Sequence, residues 1–175
     1  SSALLRVIYR DLPFEDIDMA QVDIAELLEL ALEDERAGAA FYEVMARRAG
    51  RERLRQVFAE LAEQERFHEG RFREMLESVG GQAAPGAAPP ARSGYLQALA
   101  LMRAFPDEAQ ARRQAEGCGS DGLAVEMAVR FERDTLLLMR EIALLVPVEY
   151  RDIVRELILE EESHVVTLAA VRREL

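Results

Sequence analysis

Cysteine is nearly missing from this chain: Cys118 stands alone among 175 residues. No disulfide can form within the chain, and no four-cysteine iron or zinc knuckle can be built. Cys118 lies beside two glycines, with only Arg112 and Arg113 as nearby cations, and reads as an incidental thiol in a reducing compartment. Basic clusters are missing as well, and the formal net charge of −11 argues against a nucleic-acid partner. Long apolar runs are absent: the longest, Leu136 to Val148, is interrupted by Arg140 and Glu141 and is too short to cross a bilayer. The first twenty residues mix Arg10, Asp11, Glu15, Asp16 and Asp18 with hydrophobics and lack the apolar core of a signal peptide. The expectation is a cytoplasmic protein with no membrane and no nucleic acid among its partners. Strand signals are scarce, with Val7-Ile8-Tyr9 the one tempting fragment.

What remains is helical. Apolar periodicity predicts long helices over about 20–49, 52–79 and 121–146, and a fourth begun by Pro147 and running to about 173. Gly50 and Gly80-Gly81 stop the first two, and Ser120 or Asp121 caps the third. Residues 81–94 form a Pro/Gly/Ala linker, and short helices are expected at 95–104 and 107–116. The organisation is one all-α domain over 1–175: a first hairpin at about 20–79, a connector at about 80–120 and a second hairpin at about 121–173. A helix of about 27 residues is about 40 Å long. A connector of this size can recross the bundle and return the chain to its opposite end.

The chain has only two histidines, and each ends a Glu-x-x-His motif: Glu65-Arg66-Phe67-His68 and Glu161-Glu162-Ser163-His164. Glu35 precedes Glu65 by 30 positions and Glu132 precedes Glu161 by 29, so the two halves repeat. Around Glu35 and Glu132 the repeat offset is 97; around the two motifs it is 96, one residue being lost in the tight turn. All six residues sit on apolar stripes where Leu would otherwise be expected, such as Leu28, Leu32, Glu35, Ala39, Tyr42 and Met45 on the first helix. Glu makes up 24 of 175 residues, so both histidines carrying Glu at −3 by chance has odds of about one in fifty. A solvated acidic helix face is therefore a poor explanation.

Four carboxylates gathered in an apolar interior are prohibitive unless compensated. Two divalent cations balance them and leave both imidazoles neutral as nitrogen donors. Glu35, Glu65, His68, Glu132, Glu161 and His164 are the candidate metal ligands, in an oxygen-rich set that suits iron or manganese and that zinc can occupy. Glu33, Glu60, Glu63, Glu126, Glu156 and Glu162 fall off the stripe or at its margin and read as surface charges. Tyr42 lies on the ligand face, either as a core aromatic or as a hydrogen-bond donor to a ligand or a bound oxygen species. Gln64 and Glu160, each preceding a ligand glutamate, are placed to bond the histidine of the opposite motif.

The motif order, together with Glu35-Arg-Ala-Gly-Ala-Ala-Phe41-Tyr42 and its aromatic pair, resembles the ferritin-like superfamily and its rubrerythrin-like diiron branch over residues 20–173. The resemblance implies a ferritin-like four-helix bundle of two duplicated hairpins, a long crossover connector and two iron ions bridged by Glu65 and Glu161. It implies chemistry on dioxygen or hydrogen peroxide, or oxidation of Fe(II), with electrons from an external donor protein. Rubrerythrins proper also carry a four-cysteine rubredoxin-like module and an extra Glu one turn past the third-helix ligand. Here one cysteine cannot build the module, Thr135 takes the place of that Glu, and Gly38 holds the matching place on helix one. The six-ligand set is similar to that of bacterioferritin. An oxidoreductase is the leading expectation; a sequestering protein without turnover, or a structural bundle with a vestigial site, are the alternatives. A homodimer is compatible with the sequence.

Overall fold

The computed structural model describes residues 24–80, 98–101 and 103–175. The tempting fragment at 7–9, the start of the first helix at about 20 and the linker at 81–94 lie outside these residues. Four long helices dominate: α1 (Ile24–Arg48), α2 (Glu52–Ser78), α4 (Asp121–Leu145) and α5 (Arg151–Arg172). The short α3 (Glu108–Glu116) packs against α1, and residues 98–101 are also helical.

Local chemistry sets the boundaries. The Ser120 hydroxyl accepts from the Leu123 amide at 3.2 Å and opens α4, while Asp107 does the same for α3 through the Gln110 amide at 2.7 Å. Gly80 follows α2 at φ 82°, a left-handed conformation that favours glycine. Pro147 departs from the expectation. Its ψ of 150° is extended, so it makes the corner, and a 3₁₀ turn (Val148–Tyr150) intervenes before α5 starts at Arg151. Proline fixes φ but leaves ψ free, which is why the sequence could not distinguish a corner from a first helical residue.

Pairwise contacts define the topology. Arg36 meets Glu69 and Glu43 meets Arg66, so α1 and α2 are antiparallel. Asp34 meets Thr135 while Gly50 meets Asp121, so α1 and α4 are antiparallel too. His68 meets Glu161 and Arg53 meets Glu174, which sets α2 against α5 the same way. Helices α2 and α4 therefore run parallel, so the end of α2 and the start of α4 lie at opposite ends of the bundle. The Asp121 carboxylate at the start of α4 accepts from the Gly50 and Arg51 amides at 2.7 and 3.1 Å, pinning it beside the α1–α2 turn.

The interior has two apolar layers. One is rich in rings: Phe41, Tyr42, Phe58, Phe105 and Phe131 are all buried, with Phe41 stacked on Phe105 at 4.8 Å and Tyr42 on Phe58 at 5.8 Å. The other is aliphatic, with Leu27, Leu28, Leu32, Leu76, Met139, Ile142 and Leu157 around Phe72. Along each helix the predicted ligands fall between residues of the two layers. Fully burying a side chain of this kind contributes about 1.5–3 kcal/mol, which is the force that brings the polar residues between them together.

Candidate metal centre

Each long helix delivers its polar residues from one buried stripe: Glu35 from α1, Glu65 and His68 from α2, Glu132 from α4, Glu161 and His164 from α5. All six are buried. They form two groups of four ligand atoms, each group mutually within 4.8 Å: Glu35, Glu65, His68 and Glu161 make the first, and Glu65, Glu132, Glu161 and His164 the second. Glu65 and Glu161 belong to both. The Glu161 carboxylate divides between them, with Oε1 at 2.6 Å from His68 Nδ1 and Oε2 at 3.0 Å from His164 Nδ1. The two imidazoles lie nearly parallel, 5.6 Å apart.

The donor atoms fit cations better than they fit one another. Both oxygens of Glu35 and of Glu65, Glu161 Oε1 and His68 Nδ1 are buried without a hydrogen-bond partner. Each such orphan costs about 1–3 kcal/mol. Glu161 Oε1 and His68 Nδ1 stand 2.6 Å apart, yet they are not aligned for a hydrogen bond. Two atoms ligating one ion at about 2.1 Å with octahedral geometry lie about 3 Å from each other, so close misaligned donors are what a coordination sphere requires. Carboxylates with one imidazole per position form a donor set for a pair of hard or borderline divalent ions.

Without cations, protons would have to balance the charge. Burial, followed by the charge of Glu161, raises the carboxyls of Glu35 and Glu65 well above the usual range, and Glu132 follows for the same reasons. Glu161 goes the other way: burial opposes its ionisation, but the His164 and His68 imidazoles hold it below the usual range. Burial disfavours a charged His68, yet Glu161 beside it raises the ring to about 9. His164 is also raised, its burial outweighed by Glu132 and Glu161.

The surroundings are less symmetric than the six clustered residues. The buried Tyr42 hydroxyl donates to Glu132 Oε1. Glu160 reaches inward so that its Oε2 lies 2.7 Å from His68 Nε2, as expected from the sequence. Gln64 does not make the equivalent bond: it is exposed, and His164 Nε2 is buried with no partner. Gln64 and Glu160 line an open depression with Glu60, Glu63 and Phe67, so one carboxylate separates solvent from the His68 ring. The Thr135 hydroxyl turns away to donate to Asp34 Oδ2 at 2.9 Å. At Gly38 an added Cβ would lie 2.3 Å from Phe131 Cζ and 2.9 Å from Glu65 Oε2, so that ring fills the space.

Asp34 is the residue the sequence missed. It is buried, its carboxyl is raised to about 7 by desolvation against the opposing Arg103 and Thr135, and Arg103 Nη1 stands 3.6 Å from Oδ1. Arg103 comes from the connector and also donates to the Pro106 carbonyl at 2.9 Å. Nothing in the local pattern around residue 34 points to partners 69 and 101 positions away. The off-stripe Glu60, Glu63, Glu126, Glu156 and Glu162 are exposed, and Glu33 is half-buried, 3.3 Å from Arg103 Nη2. Cys118 is a free thiol, its Sγ 3.4 Å from the Ser120 carbonyl.

Among the described residues no helix is long and apolar enough to cross a membrane. A solved structure of a ferritin-like diiron-carboxylate protein from Thermotoga maritima matches with a TM-score of 0.65 and 23% identity, covering 87% of this chain and 96% of that one. At that identity the likeness shows a shared ferritin-like fold. No curated protein matches the chain. The rubrerythrin family model matches residues 26–116, a span that includes Glu35, Glu65 and His68. Matched over more than half its length and carrying a buried carboxylate–imidazole cluster of the diiron type, the chain belongs to the rubrerythrin family.

Proposed function

We propose that this protein binds two iron ions at the buried cluster and acts as a non-haem diiron oxidoreductase, oxidising Fe(II) or reducing dioxygen or peroxide with electrons from an external donor protein. The observation that carries the reading is the pair of four-atom donor groups sharing Glu65 and Glu161, in which both oxygens of Glu35 and Glu65, Glu161 Oε1 and His68 Nδ1 are buried without a hydrogen-bond partner. Iron at both positions would supply two electrons together, which suits reduction of an O–O bond.

The chain's own residues do the rest. Glu35 and Glu132 would each serve one position, Glu65 and Glu161 would serve both, and His68 and His164 would add one nitrogen each. Tyr42 holds the Glu132 carboxylate in place through its hydroxyl. The apolar layers on either side keep bulk water from the carboxylates, which strengthens every electrostatic interaction at the cluster. These 175 residues hold one cysteine, too few for a four-cysteine donor among them, and the electrons would come from an external protein. Thr135 offers a hydroxyl already committed to Asp34, so no carboxylate stands at the place where rubrerythrins proper carry their extra Glu. Reactivity with dioxygen at least as fast as with peroxide is the expected consequence.

The test is to reduce the iron-loaded protein anaerobically and mix it separately with dioxygen and with hydrogen peroxide, following re-oxidation by absorbance. Rapid re-oxidation through many cycles supports an enzyme. A single slow stoichiometric event means a binding protein, and a large kinetic preference for peroxide removes the argument from Thr135.

A further inference from the structure

The internal repeat makes the two metal positions equivalent in their ligands, so differences between them must come from the residues that touch those ligands. Two pairs of repeat-related residues differ in a way that matters. At the offset of 96, Gln64 corresponds to Glu160; at the offset of 97, Tyr42 corresponds to Met139. Glu160 bonds the far nitrogen of His68, whereas His164 Nε2 is buried with no partner. Tyr42 donates to Glu132, whereas neither oxygen of Glu35 accepts a hydrogen bond.

Both differences favour the same position. An imidazole that ligates through Nδ1 carries its proton on Nε2, and a carboxylate accepting that proton makes the ring a stronger donor and fixes its plane. Position one, formed by Glu35, Glu65, His68 and Glu161, has this arrangement. Position two, formed by Glu65, Glu132, Glu161 and His164, has an imidazole whose outer N–H would be stranded. Its terminal carboxylate has also given one oxygen to a phenol, which draws charge from the ligand. From these asymmetries, and resting on the dinuclear reading above, we infer that the two positions are unequal. Position one binds its ion first and more tightly, and Glu160 is the positioning residue that sets the difference.

Glu160 is a clean point at which to test this, because it is partly exposed and Glu160→Gln keeps its shape. The metal-free protein is titrated anaerobically with Mn(II) and followed by electron paramagnetic resonance, which separates a lone ion from an exchange-coupled pair. In the unaltered protein the lone-ion signal should grow to one equivalent and then convert to the coupled signal with the second. Glu160→Gln should weaken the first step by about 10–100-fold, the usual cost of losing such a partner, and leave the second nearly unchanged. Gln64→Glu should tighten the second step, which loss of folding could not imitate. Equal affinities in the unaltered protein, or equal weakening of both steps by Glu160→Gln, would overturn the inference while leaving the dinuclear site intact. Absence of a coupled pair at any loading would instead remove the dinuclear reading itself.

Discussion

Single residues decide how closely the helices approach the cluster, and Gly38 is the sharpest case. The ring of Phe131 occupies the space a side chain at 38 would need, with Phe131 Cε1 at 2.5 Å from an added Cβ. Gly38→Ala gains about 1 kcal/mol of helix propensity. It should nonetheless destabilise the fold by a net ~1–3 kcal/mol, since the ring and Glu65 must shift within a packed interior. Urea denaturation measures this, and Phe131→Leu should recover part of the loss in a double-mutant cycle. A Gly38→Ala protein as stable as its parent would show that the ring is not confined. The clustering of the six residues was legible because a buried stripe tolerates carboxylates only for a reason, and the repeat supplied each kind twice. Asp34 was not legible, because its burial depends on Arg103 from the connector and on Thr135 from another helix. Gln64 misled for a related reason: the repeat predicts position, whereas a hydrogen bond also needs the side chain to turn inward.

Elements were readable where local chemistry is decisive. The cap at Ser120, the stop after α2 and the antiparallel hairpins all follow from residues close in sequence. The crossover was readable only as a consequence of length, and what holds it is a long-range contact. Asp121, the first residue of α4, bonds two amides of the α1–α2 turn. Arg51 of that turn in turn donates from its Nη1 and Nη2 groups to the Glu174 and Leu175 carbonyls past the end of α5. One end of the bundle is thereby tied through a short stretch of chain. Asp121→Ala removes both acceptor oxygens and should cost about 1–2 kcal/mol, the usual scale for hydrogen bonds to a charged group with partial exposure. Hydrogen exchange at the Gly50 and Arg51 amides should accelerate while amides in the middle of α2 change little. Unchanged exchange at those two amides would show that the contact does not hold the turn.

At the scale of the whole molecule, the cluster makes stability depend on pH in opposite senses with and without metal. Glu35, Glu65, Glu132 and His164 all have folded pKa values above their unfolded ones, and His68 is raised to about 9. A raised group contributes stability that is full below its unfolded pKa and lost as pH rises through its folded pKa. The metal-free protein should therefore weaken as pH rises past about 4.3, the midpoint for unfolded glutamates, and should still be losing stability as His68 titrates at about 9. Glu161, lowered, acts in reverse and limits stability only in strong acid. Metal ions replace those protons, so their binding should release protons and tighten as pH rises. The melting temperature gained on adding metal should consequently grow between pH 5 and pH 8. At about 100 times the dissociation constant the stabilisation is about 2.7 kcal/mol. For a chain of this length that corresponds to roughly 5–10 °C. Melts with and without Mn(II), each against a chelator control at several pH values, measure it. A gain that stays constant or shrinks with pH would mean that metal does not displace protons from these carboxylates, and that the ligands lie elsewhere.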